Sequence, residues 1–391
     1  MIDIDRLRAE TPGVREVVHF NNAGAALMPT PVIDAIRSYF DEEIRHGGYE
    51  TARCRTNQIE NVYASLARII GASRHEIALA DNATRAWDLL FYSMGLGDGD
   101  RILTTTSEYV SNWAAYLHVR DTRGVEVVVV PDDEHGGIDL TRLEEMAGDA
   151  PTSLITLNHM PTNGGLVNPA AEVGSIARSR DIPFLLDACQ TVGQVPIDVD
   201  EIQCDMLTAT SRKYLRGPRG VGFSYIRDEF IERLSPVFVE LETAPVVLPD
   251  GYTLATSARR FETWEKSYAG VVGLGAAAEY AYETGVADIW ERIQWLAARL
   301  RLLLWEVDGV TVYDQGQVQG GIVTFDIEGR QPLEVQELLA EHSINVSIST
   351  PFSAPVDMHR RQIEGLVRAS VHAYNTEEEI EDLIEAVMVM V

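Results

Sequence analysis

Apolar and polar positions along this chain follow two periods in alternation. Apolar blocks of strand length occur at Ile77–Ala80, Arg101–Thr105, Val125–Val130, Leu154–Leu157, Pro183–Leu186 and Met206–Ala209. Between them, Arg85–Met94, Asn112–Arg123, Asp139–Met146 and Ala170–Ser179 repeat their apolar residues at helical spacing. Nearly continuous apolar blocks suit strands buried on both faces. Their alternation with helices predicts βαβ units and a mainly parallel sheet covered on both sides. In such sheets ligands bind beyond the carboxyl ends of the strands, so polar residues at those ends are the first candidates for chemistry.

Near Ser267 the pattern changes. Tyr268–Thr284 and Asp288–Val307 read as long helices, the first rich in small residues and able to pack closely. Short strands at Val310–Tyr313 and Gly321–Asp326, a helix at Pro332–Ala340, strands near Ile344–Ile348 and Leu366–Ser370, and an acidic helix from Glu377 follow. The expected organisation is a large α/β domain over residues 21–266 and a smaller α+β domain over 267–391. Residues 1–20 are expected to join the small domain, with a helix at Pro31–Ile44 beside it. A chain of 391 residues suits one large and one smaller domain.

Charge narrows the partners. A net charge of -28 argues against nucleic acid or an anionic membrane surface, since both require basic surface. The acidic first twenty residues carry no apolar core of signal-peptide length, and the longest apolar runs, such as Val127–Val130, are too short to cross a bilayer; a cytoplasmic location is expected. Three cysteines, Cys54, Cys189 and Cys204, are too widely spaced for a disulfide framework or a paired metal site. The histidines show no metal spacing, and His159 is expected to orient a turn. Only Lys213 and Lys266 are lysines; arginine supplies the rest of the 32 basic residues. Any reaction needing an amine nucleophile therefore has two candidates, and Lys266, beside Glu265, reads as an exposed ion pair.

Three segments carry the chemistry. In IPFLLDACQTVG an apolar strand ends in Asp187, with Gln190 three residues on. A carboxylate there needs a partner, and a pyridinium nitrogen is one; capping the next turn is the alternative. Met206–Ala209 leads into Thr210-Ser-Arg-Lys213 and then GPRGVG. A lysine at a strand end forms an imine with a carbonyl cofactor once burial or nearby cations lower its pKa, and Arg212 and Arg216 offer the cations. Thr210 and Arg212 also suit a phosphate. In ADNATR, between a strand and a helix start, Thr84 and the free N–H groups offer a phosphate seat, although an ordinary Asn/Thr cap has the same appearance.

Together with HFNNAGAALMP, SEYVSNW, HMPTNGGLVNP, RRFETWE and VRASVHAYNTEEEI, these segments resemble the class V aminotransferases of pyridoxal 5′-phosphate fold type I, over nearly the whole chain. That family includes cysteine desulfurases, selenocysteine lyases, kynureninase and isopenicillin N epimerase. The resemblance implies the following roles. Lys213 is the cofactor-linked acid/base, Asp187 pairs with the ring nitrogen, and Gln190 binds the phenolic oxygen. Ala83, Thr84, Thr210 and Arg212 bind phosphate. Tyr109 stacks on the ring. Asn163 approaches the phenolic oxygen, with Thr162 as the alternative register of that turn. Arg368 grips the substrate carboxylate, or else bridges to a neighbouring acid, and Asn22, Ala23 and Gly24 wall the substrate pocket. The resemblance also implies a homodimer with the active site at the interface and a small amino-acid substrate.

Two departures bear on the reaction. Desulfurases carry a nucleophilic cysteine before the arginine strand, whereas Asn345–Pro355 contains none. A Gly-Thr that in desulfurases reaches the neighbouring subunit's phosphate is replaced here within Thr263-Trp264-Glu265. A lyase cleaving the C–S bond of a cysteine derivative is expected, with epimerisation, then transamination, as alternatives. A nicotinamide-dependent reductase lacks its glycine motif here, and a non-catalytic relative would not need Lys213.

Overall fold

A computed structural model describes residues 2–241 and 243–391. Its main sheet has seven strands: β1 (Ile77–Ala80), β2 (Arg101–Thr104), β3 (Glu126–Val129), β4 (Leu154–Asn158), β5 (Phe184–Asp187), β6 (Met206–Thr210) and β7 (Gly222–Ile226). Their spatial order is β1-β7-β6-β5-β4-β2-β3. Strands β2 to β6 run parallel, and only β7 is antiparallel to both neighbours. The fold is thus α/β with a mainly parallel sheet, as the periodicity implies. The strand Gly222–Ile226 is an addition to it; GFSYI opens on a glycine and continues a glycine-rich turn, which hides a wholly buried strand.

Ten longer helices pack around this sheet and a second one: α1 (Thr30–His46), α2 (Thr56–Ile70), α3 (Ala83–Ser93), α4 (Val110–Arg123), α5 (Leu140–Asp149), α6 (Ala170–Ser179), α7 (Tyr268–Thr284), α8 (Val286–Trp305), α9 (Pro332–Glu341) and α10 (Glu377–Met388). The second sheet joins β8 (Val310–Val312), β9 (Ile322–Ile327), β10 (Ser347–Ser349) and β11 (Leu366–Ser370) in the order β8-β9-β11-β10, all antiparallel.

The buried residues form two principal cores. In one, Leu103, Ile155, Leu186 and Leu207 of the main sheet meet Val271, Leu274 and Ala278 of α7. Most of helix α7 therefore packs into the main-sheet core, while Tyr280 near its end joins the other core beside Ile289 of α8. Its small residues explain the placement: a Cβ on Gly273 would lie 2.6 Å from Ile36 of α1, and one on Gly275 2.7 Å from Val62 of α2. In the other core, Ile293, Leu296 and Leu300 of α8 pack on Phe325 and Val367, with Leu7 and Phe20 of the N-terminal segment. Val18–His19 pairs in parallel with Ile344–Asn345 as a separate two-stranded sheet, and a bridge between Asn21 and Ser370 ties that segment to β11.

Lys266 is not the exposed ion pair its neighbour Glu265 suggests. Its Nζ contacts the Glu262 carboxylate four residues back, and only 2% of the Glu262 side chain is exposed. Glu262 also accepts from the Leu79 backbone N (2.9 Å) and the Tyr63 hydroxyl (3.0 Å), which locks the segment 258–266 onto β1. Lys266→Ala leaves that carboxylate buried without its cation. It is expected to lower unfolding stability by about 3 kcal/mol in urea titration, with Lys266→Met/Glu262→Gln recovering most of the loss. A single variant as stable as the wild type would show the pair to be dispensable.

Candidate active site

The carboxyl ends of β4, β5 and β6 open on a cavity of about 250 Å³, bounded by the start of α3 and the turn after β6. Register decides what faces it. Asn158 pairs with Asp187 across β4 and β5, so two polar side chains stand together where two apolar strands end. The Asp187 carboxylate is held from two sides. Its Oδ2 accepts from Asn112 Nδ2 of α4 at 3.0 Å, and its Oδ1 from the Cys189 backbone N at 3.0 Å.

Beyond β6 the chain turns sharply at Lys213, with Arg216 N donating to Lys213 O at 2.9 Å and Arg216 in the left-handed region at φ 62. This turn aims Lys213 into the cavity. Burial is the main cause that lowers the Lys213 amine to about 8; the neighbouring Cys189 and Asp187 oppose the shift and Arg212 adds to it. Arg216 does not supply that field, contrary to expectation. Its guanidinium points away, donating to Leu27 O (2.9 Å) and Thr11 Oγ1 (2.5 Å) and lying over the Tyr374 ring.

A neutral amine is the form that captures an aldehyde. Capture of the cofactor by the apoprotein should therefore accelerate about tenfold per pH unit and level off near pH 8, as followed by stopped-flow absorbance. A plateau only near the ordinary lysine value of 10.5 would show that Lys213 is not desolvated.

Other expected residues converge on the same space. Asn82 caps α3 by accepting from Arg85 N at 2.9 Å, leaving Ala83 and Thr84 in the first turn facing the cavity. Gly222 permits the close approach of β7 here, since a Cβ on it would lie 2.9 Å from Ala83 N. Thr210, Arg212, Gln190 and Tyr109 line the remaining walls. Gln190 Nε2 donates to Ala23 O (3.3 Å) and Arg212 Nη1 to Gly24 O, so Ala23 and Gly24 brace the cavity through their carbonyls. The Asn22 side chain is instead buried among Ser370 O, His19 O and the Tyr374 hydroxyl, a tie between N-terminal segment and β11.

The turn after β4 presents threonine, not asparagine, to the cavity. Thr162 lines the cavity, whereas the buried Asn163 side chain faces away from it and donates to Asp357 Oδ2 at 2.6 Å. Arg368 on β11 donates from Nη1 to both the carbonyl (3.0 Å) and the hydroxyl (2.7 Å) of Thr162. It reaches the cavity wall in this way, and no acid bridges to it among the described residues. His159 acts through its backbone, with N donating to Asp187 O and O accepting from Asn168 N. Burial lowers its ring to about 4, leaving it neutral.

Residues 18–383 match aminotransferase class-V. The chain belongs to that family. It is similar to a probable cysteine desulfurase of Methanothermobacter thermautotrophicus, 31% identical over 385 residues, 97% of this chain and 96% of the relative. It is also similar to a probable cysteine desulfurase of Pyrococcus abyssi, 29% identical over 97% of this chain and 95% of the relative. Among solved structures, an apo cysteine desulfurase of Thermococcus onnurineus superposes with a TM-score of 0.92 at 28% identity, covering 100% of this chain and 98% of that one. A cystine C–S lyase in complex with its product cysteine persulfide gives 0.87 at 23%, over 97% and 99% of the two chains, a likeness in fold.

The cofactor of this class-V enzyme is pyridoxal 5′-phosphate, and the residues fit it. Gln190 Oε1 and Arg368 Nε are buried with no partner, a helix start offers N–H groups to a phosphate, and a carboxylate stands ready for a ring nitrogen.

Among the lining residues to which the sequence reading gave no role are Trp87, Asn112, Asn158 and Cys189. Asn158 carries the same signal as Asp187, a polar residue closing an apolar strand. Asn112 is a polar residue on the inner face of a helix. Cys189 follows Asp187 by two, and burial pushes its thiol well above the usual range.

Proposed function

We propose that this enzyme is a C–S lyase acting on cysteine or a cysteine derivative. One substrate and one water give one pyruvate, one ammonium and the sulfur leaving group with its proton, which is sulfide when the substrate is cysteine. The observation that carries this reading is the meeting of Lys213, Asp187 and Gln190 in one cavity, with Arg368 held at its wall through Thr162.

When bound, the cofactor supplies a carbonyl carbon for the substrate amine and a cationic ring that accepts the electron pair of a broken Cα bond. The chain's own residues do the rest. Ala83 N, Thr84, Thr210 and Arg212 hold the phosphate, Tyr109 stacks on the ring, and Gln190 donates to the phenolic oxygen. Asp187 keeps the proton on the ring nitrogen. Arg368 grips the substrate carboxylate and fixes Cα over Lys213 Nζ, which takes the Cα proton. As that proton leaves, the bond from Cβ to sulfur breaks and its electrons depart with the thiol.

A desulfurase would need a thiolate to take the sulfur. The segment Asn345–Pro355 has none, and Cys189 in the cavity is kept a neutral thiol by burial and by the adjacent Asp187 charge. Incubation with cysteine, cystine and cysteine sulfoxides in D₂O tests the reading. Pyruvate should appear together with the matching sulfur product: sulfide from cysteine, cysteine persulfide from cystine, a sulfenic acid from a sulfoxide. Alanine with sulfur left on the protein would refute elimination, and deuterium at Cα without pyruvate would indicate epimerisation.

The proposed assembly is a homodimer with the active site at the interface. Val237, Phe238, Val239, Leu241, Val246, Val247 and Leu248 are largely exposed, and Phe238 lies under the Arg85 guanidinium of α3, beside the cavity mouth. Trp264 is 43% exposed on the same side, its N donating to Glu240. A reducing compartment such as the cytoplasm fits the three free cysteines. No helix among the described residues is long and apolar enough to cross a membrane.

A further inference from the structure

Behind Asp187, away from the cavity, lies a second carboxyl with no part in the reaction described above. Glu108 is 1% exposed and stands just before α4. Asn112, one helical turn on, bridges the two acids: its Nδ2 lies 3.0 Å from Asp187 Oδ2 and 3.2 Å from Glu108 Oε2. Glu108 Oε1 is buried with no hydrogen-bond partner. The groups facing Glu108 are Asn112 of α4, Thr104 of β2, the Asn158 backbone of β4 and Asp187 of β5, with Tyr116 one turn further along α4. None of them is a cation.

Two ionised carboxylates one amide apart, both buried, repel strongly, so such a pair retains one proton. The two acids are not equivalent hosts for it. Asp187 accepts two hydrogen bonds and faces the cavity with Lys213 and Arg212; Glu108 has one well-formed bond, from Asn112, and although Thr104 and the Asn158 backbone also favour its charged form, burial and the Asp187 charge outweigh them. Burial, and then the charge of Asp187, raise Glu108 to about 7.

We infer that Asn112 and Glu108 are positioning residues for Asp187. The Asn112 amide clamps the Asp187 carboxylate, and Glu108 behind it is kept as a neutral acid, leaving Asp187 the ionised member of the pair. This rests on the reading of Asp187 as partner of the cofactor's ring nitrogen. Its consequence is a titration seen in the cofactor itself. Ionisation of Glu108 adds a second negative charge behind the ring nitrogen and must move the visible band.

The experiment is a pH titration of the visible absorption of the protein loaded with pyridoxal 5′-phosphate. The wild type should show a minor step near neutrality besides its main transition. Glu108→Gln, which mimics the neutral acid in shape and charge, should lose the minor step and keep the main one. Asn112→Ala should move the main transition by about one pH unit, as expected when a carboxylate loses a fixed donor. A purely structural role would change thermal stability and leave both steps in place, and that result overturns the inference. So does an identical titration of wild type and Glu108→Gln. Infrared difference spectra of the apoproteins provide an independent arm. A carboxylic-acid carbonyl band at about pH 6 should be present in the wild type and missing in Glu108→Gln; its absence from the wild type also overturns the inference. If Asp187→Asn leaves the wild-type titration unchanged, it is the ring-nitrogen reading that fails. If no visible band forms on loading the wild type, the cofactor assignment falls as well.

Discussion

Lys213→Ala should abolish the visible absorption of the cofactor-loaded protein and lower kcat/KM by about 10⁴-fold or more. The size of the loss follows from the scarcity of alternatives. Only one other lysine exists, and Lys266 is tied to Glu262 beside β1, at a different small cavity from that of Lys213. Neither arginine near the turn can replace it. Arg212 is engaged by Gly24 O, Arg216 is turned toward Thr11, and a guanidinium holds its proton too tightly to act as a base at neutral pH. Borohydride reduction of the loaded wild type followed by peptide mapping should label Lys213 alone. Label on Lys266, or a variant retaining more than about a hundredth of the activity, would overturn the assignment.

The sheet was legible because its strands are buried on both faces and so are written as apolar blocks. Ile77–Ala80 and Ala170–Ser179 match their sequence bounds residue for residue. What failed was legible only in three dimensions. Lys266 adjoins Glu265 in sequence, yet the irregular turn after Phe261 brings it to Glu262. Arg216 adjoins Lys213 in sequence, but its left-handed backbone sends the side chain to the opposite side of the turn. Thr162 and Asn163 differ by one position, and only the path of the turn decides which faces the cavity. Glu108 and Asn112 are one helical turn apart, a visible pairing, but their meeting with Asp187 spans β2 to β5 and has no sequence signal. Motif residues are thus readable because the chain presents each from its own strand end. Residues that hold the motif in place are not, because their partners come from other strands.

The second large effect is expected at Arg368. Its strand β11 lies between β9 and β10, with Arg368 paired to Thr324 and Ser347, so the backbone has little freedom to move. Burial lowers its guanidinium to about 10, which leaves it charged throughout the neutral range. Nε is unpartnered, Nη1 is on Thr162 and Nη2 makes only a long contact to Asn21 Oδ1 (3.5 Å), so the Nε–Nη2 edge of the fork can turn to a carboxylate. Two charge-assisted hydrogen bonds contribute about 3–5 kcal/mol, so Arg368→Ala should lower kcat/KM by about 10²–10³-fold, mainly through KM. Arg368→Lys should recover little, since an ammonium cannot present the paired donors. A comparison of substrates separates binding from mere disruption. An amine analogue lacking the carboxylate should react poorly with the wild type, and the preference for the carboxylated substrate should vanish in Arg368→Ala. If the variant still prefers the carboxylate by the wild-type factor, another group grips it, and the fixed position of Cα over Lys213 has a different cause.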